Sequence, residues 1–284
     1  MNEGFEPLMR DTQGATRRHR ARAGSVARVI GILDSGVGGA SVLRDIRALL
    51  PHIDVAYVAD SAYAPYGPRT PQWIQQRSAV LTEFLIARGA EVIVVACNTA
   101  TAAAAQTLRA AYAVPIVAME PAVKPAVAAT KTGVVGVLAT VGTLQSAKFA
   151  ALLDRFGSEV TVITEPGVGL VEQVEAGDLD GPHTRDLVTM RIAPMLEAGA
   201  DVIVLGCTHY PFLREVIAEV AGPGVTLVDT GPAVARRLVG VLAERDLNVD
   251  GDGATDYWTS GDPAVISRVL GQLLGDRVIA EQLP

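Results

Sequence analysis

The chain has 284 residues, 49% of them hydrophobic and 19% charged, with a formal net charge of −7; this is apolar material for one or two globular cores, and an acidic surface excludes nucleic acid as the expected partner. No apolar run approaches the roughly 18 to 20 residues that a bilayer-spanning helix needs, so no membrane role is expected. The two cysteines, Cys97 and Cys207, and a basic N-terminal stretch with no apolar segment behind its charges point to a cytoplasmic protein with free thiols.

Residues 1–24 carry Arg10, Arg17, Arg18, Arg20 and Arg22 without apolar periodicity and read as a disordered basic tail. The first strand-like run is Arg28 to Leu33, RVIGIL, which ends in Asp34, Ser35 and a turn containing Gly36, Gly38 and Gly39. Val42, Leu43, Ile46, Leu49 and Leu50 then share one helical face up to Pro51. A dinucleotide-binding turn is a poor match because Ser41 stands where the third glycine belongs, and the glycine amides are better suited to hold a carboxylate. Asp34 itself has the position of a helix cap, a role compatible with catalysis.

Asp54 to Ala59, DVAYVA, is the second strand, and Ser61 to Arg69 is an ordered loop because its prolines and glycine oppose a helix. Thr70 and Pro71 read as N-cap and first residue of a helix carrying Trp73, Ile74, Leu81, Phe84 and Leu85 and closing at Gly89. A strand Val92 to Ala96 leads into Cys97, Asn98 and Thr99 and an alanine-rich helix to about Tyr112. Pro115 to Met119 is the next strand, entering a helix at Glu120 and Pro121.

The same plan then recurs. VIGILDSGVG from Val29 aligns with VVGVLATVGT from Val134, VIVVACNT from Val92 with VIVLGCTH from Val202, and PIVAMEPAV from Pro115 with TLVDTGPAV from Thr226. Three collinear matches at a nearly constant offset argue for internal duplication. The expected fold is α/β, two duplicated lobes, each a mostly parallel sheet flanked by helices, with the active site in the cleft between them. After Thr230 come a helix (Ala233 to Leu242), the segment YWTSGD from Tyr257 to Asp262 and a last helix from Pro263.

Both cysteines occupy one position of the repeat, after the last apolar residue of a strand and just before a helix, where the helix dipole and free amides would lower a thiol pKa. A lone free cysteine is ordinarily a small buried hydrophobe, but equivalent placement in duplicated units favours two reactive thiols facing one another. Zinc is disfavoured because Cys207 and His209 supply two ligands where a structural site needs four, so no metal is expected. A Cys207–His209 nucleophile pair for acyl transfer would leave Cys97 without a task. His19, His52 and His183 suit bland surface roles.

The segments GILDSGVGG (Gly31 to Gly39), YVADSAYAPYG (Tyr57 to Gly67), ACNTAT (Ala96 to Thr101), LGCTHYPFL (Leu205 to Leu213), DTGPAVA (Asp229 to Ala235) and YWTSGD together resemble the glutamate racemases of the aspartate/glutamate racemase superfamily. The resemblance covers nearly everything after the tail. It implies a cofactor-independent isomerase that interconverts L- and D-glutamate for peptidoglycan synthesis. It also implies a lobe from 25–120 completed by 231–284, and a second lobe from 121–230. Position by position, it makes Cys97 the base toward the D-enantiomer and Cys207 the base toward the L-enantiomer, assisted by Asp34 and His209 respectively. Asp34, Ser35, Tyr66, Gly67, Asn98, Thr99, Thr208 and His209 would hold the substrate. The family's acidic residue ahead of the second cysteine falls on Glu175 or, three residues earlier, Glu172. The basic tail and the AYA of Ala62 to Ala64 depart from the family pattern without touching a matched catalytic position. Glutamate is the expected small-molecule partner, and a homodimer stays open. The alternatives are a racemase of aspartate, another diacid or a hydantoin, and a two-lobed small-molecule binding protein without chemistry.

Overall fold

Uninterrupted β-branched runs are stable as strands where helices cover both faces of a parallel sheet. The computed structural model, which describes residues 29–157, 159–247 and 250–284, has them in that setting; the basic stretch 1–24 and Arg28 lie outside the described residues. The first part of the chain runs β1 (Val29–Asp34), α1 (Ala40–Leu49), β2 (Asp54–Ala59), α2 (Pro71–Ala87), β3 (Ala90–Val95), α3 (Asn98–Ala111) and β4 (Ile116–Ala118). The second runs α4 (Val123–Ala129), β5 (Val134–Ala139), α5 (Val141–Leu144), α6 (Ala147–Phe156), β6 (Thr161–Pro166), α7 (Leu170–Ala176), α8 (Pro182–Glu197), β7 (Val202–Gly206), α9 (Arg214–Ala221) and β8 (Thr226–Asp229). The chain closes with α10 (Gly231–Glu244), β9 (Thr255–Thr259), α11 (Pro263–Leu274) and β10 (Ala280–Gln282).

One sheet has the order β10-β9-β2-β1-β3-β4 and the other β6-β5-β7-β8, with every pairing parallel. The run β2-β1-β3-β4 therefore has the same order as β6-β5-β7-β8, and the sequence repeat is a repeat of topology. Strands β9 and β10 have no counterpart. They extend the first sheet, with β9 pairing in register along Val55 to Ala59 of β2, while α10 packs on α1.

The duplication reaches single residues. A Cβ on Gly31 in β1 would lie 2.7 Å from Ile93 Cδ1 and 3.0 Å from the Cβ atoms of Ala90 and Leu85, and one on Gly136 in β5 would lie 2.5 Å from Met195 Sδ. In both lobes the third residue of the leading strand must be glycine for neighbouring side chains to close over the sheet. Thr70 caps α2 as expected, accepting from Trp73 N at 3.3 Å with Pro71 in the first turn.

Some local expectations shift. Leu49 is 49% exposed at the end of α1, outside the core that takes Val42, Leu43 and Ile46. Glu120 and Pro121 are not helical, and α4 begins at Val123. Ser61 to Arg69 is a loop with one 3-10 turn at Ser61–Tyr63. Cys207 is not followed directly by an α-helix: a 3-10 turn, Tyr210–Leu213, intervenes before α9. Among the described residues no helix is long and apolar enough to cross a membrane.

Candidate active site

In a parallel sheet the crevice for a ligand opens where the chain leaves neighbouring strands in opposite directions. Here that point lies between β1 and β3 in one sheet and between β5 and β7 in the other. The residues at and just past the ends of those strands are Asp34, Ser35 and Cys97 in the first lobe and Thr140 and Cys207 in the second. Four sets of hydrogen bonds cross between the lobes here: Val37 to Glu175, Ser61 to Glu175, Ser41 to Thr208, and Thr99 to Thr140 and Thr143. The two strand-end crevices therefore face one another.

On the first side, Cys97 occupies the N-cap of α3, and its Sγ accepts from Ala100 N at 3.4 Å while the thiol reaches Ser35 Oγ at 3.5 Å. Asp34 is fully buried and accepts from Ser35 N at 2.7 Å and Gly39 N at 2.6 Å. Burial pushes its pKa up to about 6 against the opposing pull of His209 and of those amides. Burial also pushes the Cys97 thiol up to about 12, and the adjacent Asp34 charge adds to the rise. The expectation of a thiol acidified by its helix is thus corrected at Cys97: one amide contact at 3.4 Å does not offset removal from water beside a carboxylate.

The glycine turn also departs from its expected use. Its amides hold carboxylates of the protein, Gly39 N donating to Asp34 and Val37 N donating to Glu175 Oε1 at 2.7 Å. Asp34 closes this turn from outside α1, whose cap position is Gly39 without a side-chain cap.

On the second side, Cys207 Sγ lies 3.6 Å from His209 Nδ1, and His209 Nε2 lies 2.6 Å from Glu175 Oε1. Glu175 Oε2 accepts from Ser61 Oγ at 3.3 Å. Burial works against a charged imidazole, but hydrogen bonds to Cys207 and Glu175 outweigh it and raise the His209 pKa. Of the two acidic candidates on α7, Glu175 is the one bonded to His209, while Glu172 acts through its charge on Tyr210. Space for this line comes from glycine: a Cβ on Gly36 would sit 1.8 Å from Glu175 Oε1, and one on Gly38 2.3 Å from His209 Nδ1.

The side chains that follow the thiols, and those they meet, are largely hydroxylic. Thr99 Oγ1 lies 2.7 Å from Thr140 Oγ1 and 3.4 Å from Thr143 Oγ1, and Thr140 caps the short helix α5. Asn98 is 4% exposed, and its Oδ1 and Nδ2 are buried without a protein partner. Thr208 is buried beside Cys207. The Tyr66 hydroxyl is already engaged, donating to Asp60 Oδ2 at 2.5 Å, and Asp60 is also held by Arg77. Gly67 lies against Thr140 and Gly142 of the second lobe.

Ser41, Ser61, Thr140 and Thr143 belong to this neighbourhood and went unselected in the sequence reading. Thr140 and Thr143 occupy the repeat positions of Ser35 and Gly38, so the 105-residue offset carried a signal for both. Ser41 and Ser61 carried none, because their partners lie 167 and 114 residues away. Among the described residues there is no group of three or more His, Cys, Asp or Glu side chains placed to hold a metal ion.

The profile of the Asp/Glu/Hydantoin racemase family matches residues 30–238. A protein of Stutzerimonas stutzeri (strain A1501) named glutamate racemase is 53% identical over 256 residues, covering 90% of this chain and 97% of that one. A glutamate racemase of Pseudomonas aeruginosa (strain PAO1) is 55% identical over 248 residues, 87% of this chain and 94% of its own. Among solved structures, a glutamate racemase isoform from Bacillus anthracis superposes with a TM-score of 0.82 at 30% identity, covering 92% of this chain and 98% of that one. The Escherichia coli glutamate racemase, in complex with L-glutamate and the activator UDP-MurNAc-Ala, has a TM-score of 0.82 at 32% identity and covers 90% of this chain and 98% of its own.

Proposed function

The chain belongs to the Asp/Glu/Hydantoin racemase family, and on that premise we propose that it interconverts L- and D-glutamate without a cofactor, using Cys97 and Cys207 as bases on opposite faces of the α-carbon. The observation that carries this reading is the pair of buried thiols at equivalent strand ends of a duplicated fold, near enough for the charge of Cys207 to raise the Cys97 pKa. The naming of relatives more than 50% identical over most of both chains supports glutamate as the substrate.

The chemical difficulty is that the α-C–H of an amino acid is a very weak acid beside a carboxylate that already bears charge. Two opposed thiols meet the stereochemical half of it, one removing the proton from one face while the other delivers a proton to the opposite face. Cys97, with its thiol pushed up to about 12, holds its proton at neutral pH and is poised as the donor when L-glutamate is consumed. Asp34, ionised above about pH 6, then acts as the proton acceptor beside Cys97, and His209 as the proton-holding neighbour of Cys207, with Glu175 keeping His209 oriented. Stabilisation of the developing carbanion falls to donors aimed at the α-carboxylate, drawn from Ser35, Asn98, Thr99 and Thr208. The hydroxyls of Thr140 and Thr143 are suited to a second carboxylate. Tyr66 and Gly67 contribute through the loop backbone, since the Tyr66 hydroxyl serves Asp60.

We further place the lobe boundaries at 25–120 with 231–284 and at 121–230, supported by the strand orders, and the reaction in the cytoplasm as a source of D-glutamate for peptidoglycan, supported by two free thiols. A chiral assay with glutamate, aspartate and hydantoins tests the reaction: glutamate alone should racemise efficiently. Cys97→Ala and Cys207→Ala should each abolish racemisation with the circular dichroism spectrum unchanged, and substantial turnover by either would remove the two-base mechanism. In D₂O, early product should carry α-deuterium while residual substrate does not.

A further inference from the structure

We propose that Ser41, on the first turn of α1 in one lobe, is a positioning residue for Cys207 in the other, donating to the carbonyl of Thr208 and so fixing the peptide between the thiol and its imidazole partner. The inference rests on the two-thiol reading above. Ser41 is 3% exposed, and its Oγ lies 2.9 Å from Thr208 O and 2.9 Å from Gly38 O. A hydroxyl carries one proton, so these two acceptors share it. Gly38 O belongs to the same turn and is within reach whatever the second lobe does; Thr208 O is within reach only while the lobes are together.

The need for such a bond follows from the chain on either side of Cys207. Before it, Gly206 is fixed by pairing of β7 with β5, and after it the 3-10 turn begins at Tyr210, whose hydroxyl reaches Gly167 O at 3.2 Å. The Thr208–His209 peptide between them is the centre of a turn closed by Tyr210 N on Cys207 O at 3.1 Å, and where that turn is seated sets the position of the imidazole relative to Sγ. Residues Gly38 to Ser41 seat it, Gly38 packing on the His209 ring and Ser41 bonding the Thr208 carbonyl. That seat is itself held by Asp34 through Gly39 N. One short segment thus links the helper of Cys97 to the backbone of Cys207.

Ser41→Ala tests this, since alanine is a better helix former than serine and the fold should survive. Enantiomers have equal free energy, so kcat/KM must stay equal in the two directions; it should fall about tenfold in both, the cost of leaving a buried carbonyl unbonded. The decisive reading is the primary isotope effect with α-deuterated L- and D-glutamate. Slowing the Cys207 step alone should raise the effect on L-glutamate, whose proton Cys207 removes by the family likeness, and lower that on D-glutamate toward one. If both effects keep their wild-type values or move together in a variant with unchanged thermal midpoint, Ser41 has no selective role at Cys207 and the proposal fails. Failure of the wild-type protein to racemise glutamate would instead overturn the reading on which it rests.

Discussion

Asp34 is a carboxylate placed where water cannot reach it and where two amides already bond its charged form. Burial prevails, and its pKa rises from 3.8 to about 6. The folded state therefore binds the proton more tightly than the unfolded chain, and the contribution of Asp34 to stability is complete below pH 4 and lost as pH rises through about 6. The stability of the wild type relative to Asp34→Asn, from denaturant titrations, should fall by an amount on the order of 1–3 kcal/mol across this window and stay flat above it. The same protonation should give the wild-type kcat/KM an acid limb near pH 6. A stability difference independent of pH from 4 to 7 would show that Asp34 titrates as an ordinary surface carboxylate.

At the scale of the element, the glycine turn between β1 and α1 shows how a local motif acquires a tertiary task. Its composition made it a turn with spare amides, and its companions made it a seat for Glu175 and His209. Gly36→Ala would drive a Cβ to within 1.8 Å of Glu175 Oε1. The flexible carboxylate can swing aside, so the thermal midpoint should move by only a few degrees, while loss of the Glu175–His209 contact should lower kcat by about 10²-fold. Gly31→Ala is the contrasting case. It overpacks β1 against Ile93, Ala90 and Leu85 in the core, and should cost about 1–3 kcal/mol of stability while sparing activity per folded molecule. Equal effects of the two substitutions on activity would contradict this division between seat and core.

At the scale of the molecule, the first lobe is not finished by its own repeat. Its sheet is completed by β9 and β10, and α11 buries Ile266, Val269, Leu270 and Leu273. Truncation after Leu247 would leave β2 as an open edge bearing Val55 to Ala59, a flat apolar template of the kind that aggregates. Such a chain should be recovered as insoluble protein without near-ultraviolet circular dichroism, despite retaining both cysteines. A soluble, active truncation would show that the terminal segment is dispensable to the cleft.

Repeats, strand ends and the equivalent placement of Cys97 and Cys207 were legible in the sequence because each is a local pattern, set by periodicity or by the junction where an apolar run stops. The lobe plan followed, since a parallel sheet must be covered and opens at its carboxyl edge. The tertiary structure alone decided which groups meet at the cleft. Glu175 rather than Glu172 reaches His209, from a helix that bonds a turn 138 residues earlier. Protein carboxylates occupy amides that looked free for a ligand, and the Cys97 thiol is raised where its helix position argued for the reverse. The physical reason is common to these cases: hydrogen-bond partnership and desolvation depend on distances between segments far apart in the chain, and spacing along a sequence fixes neither.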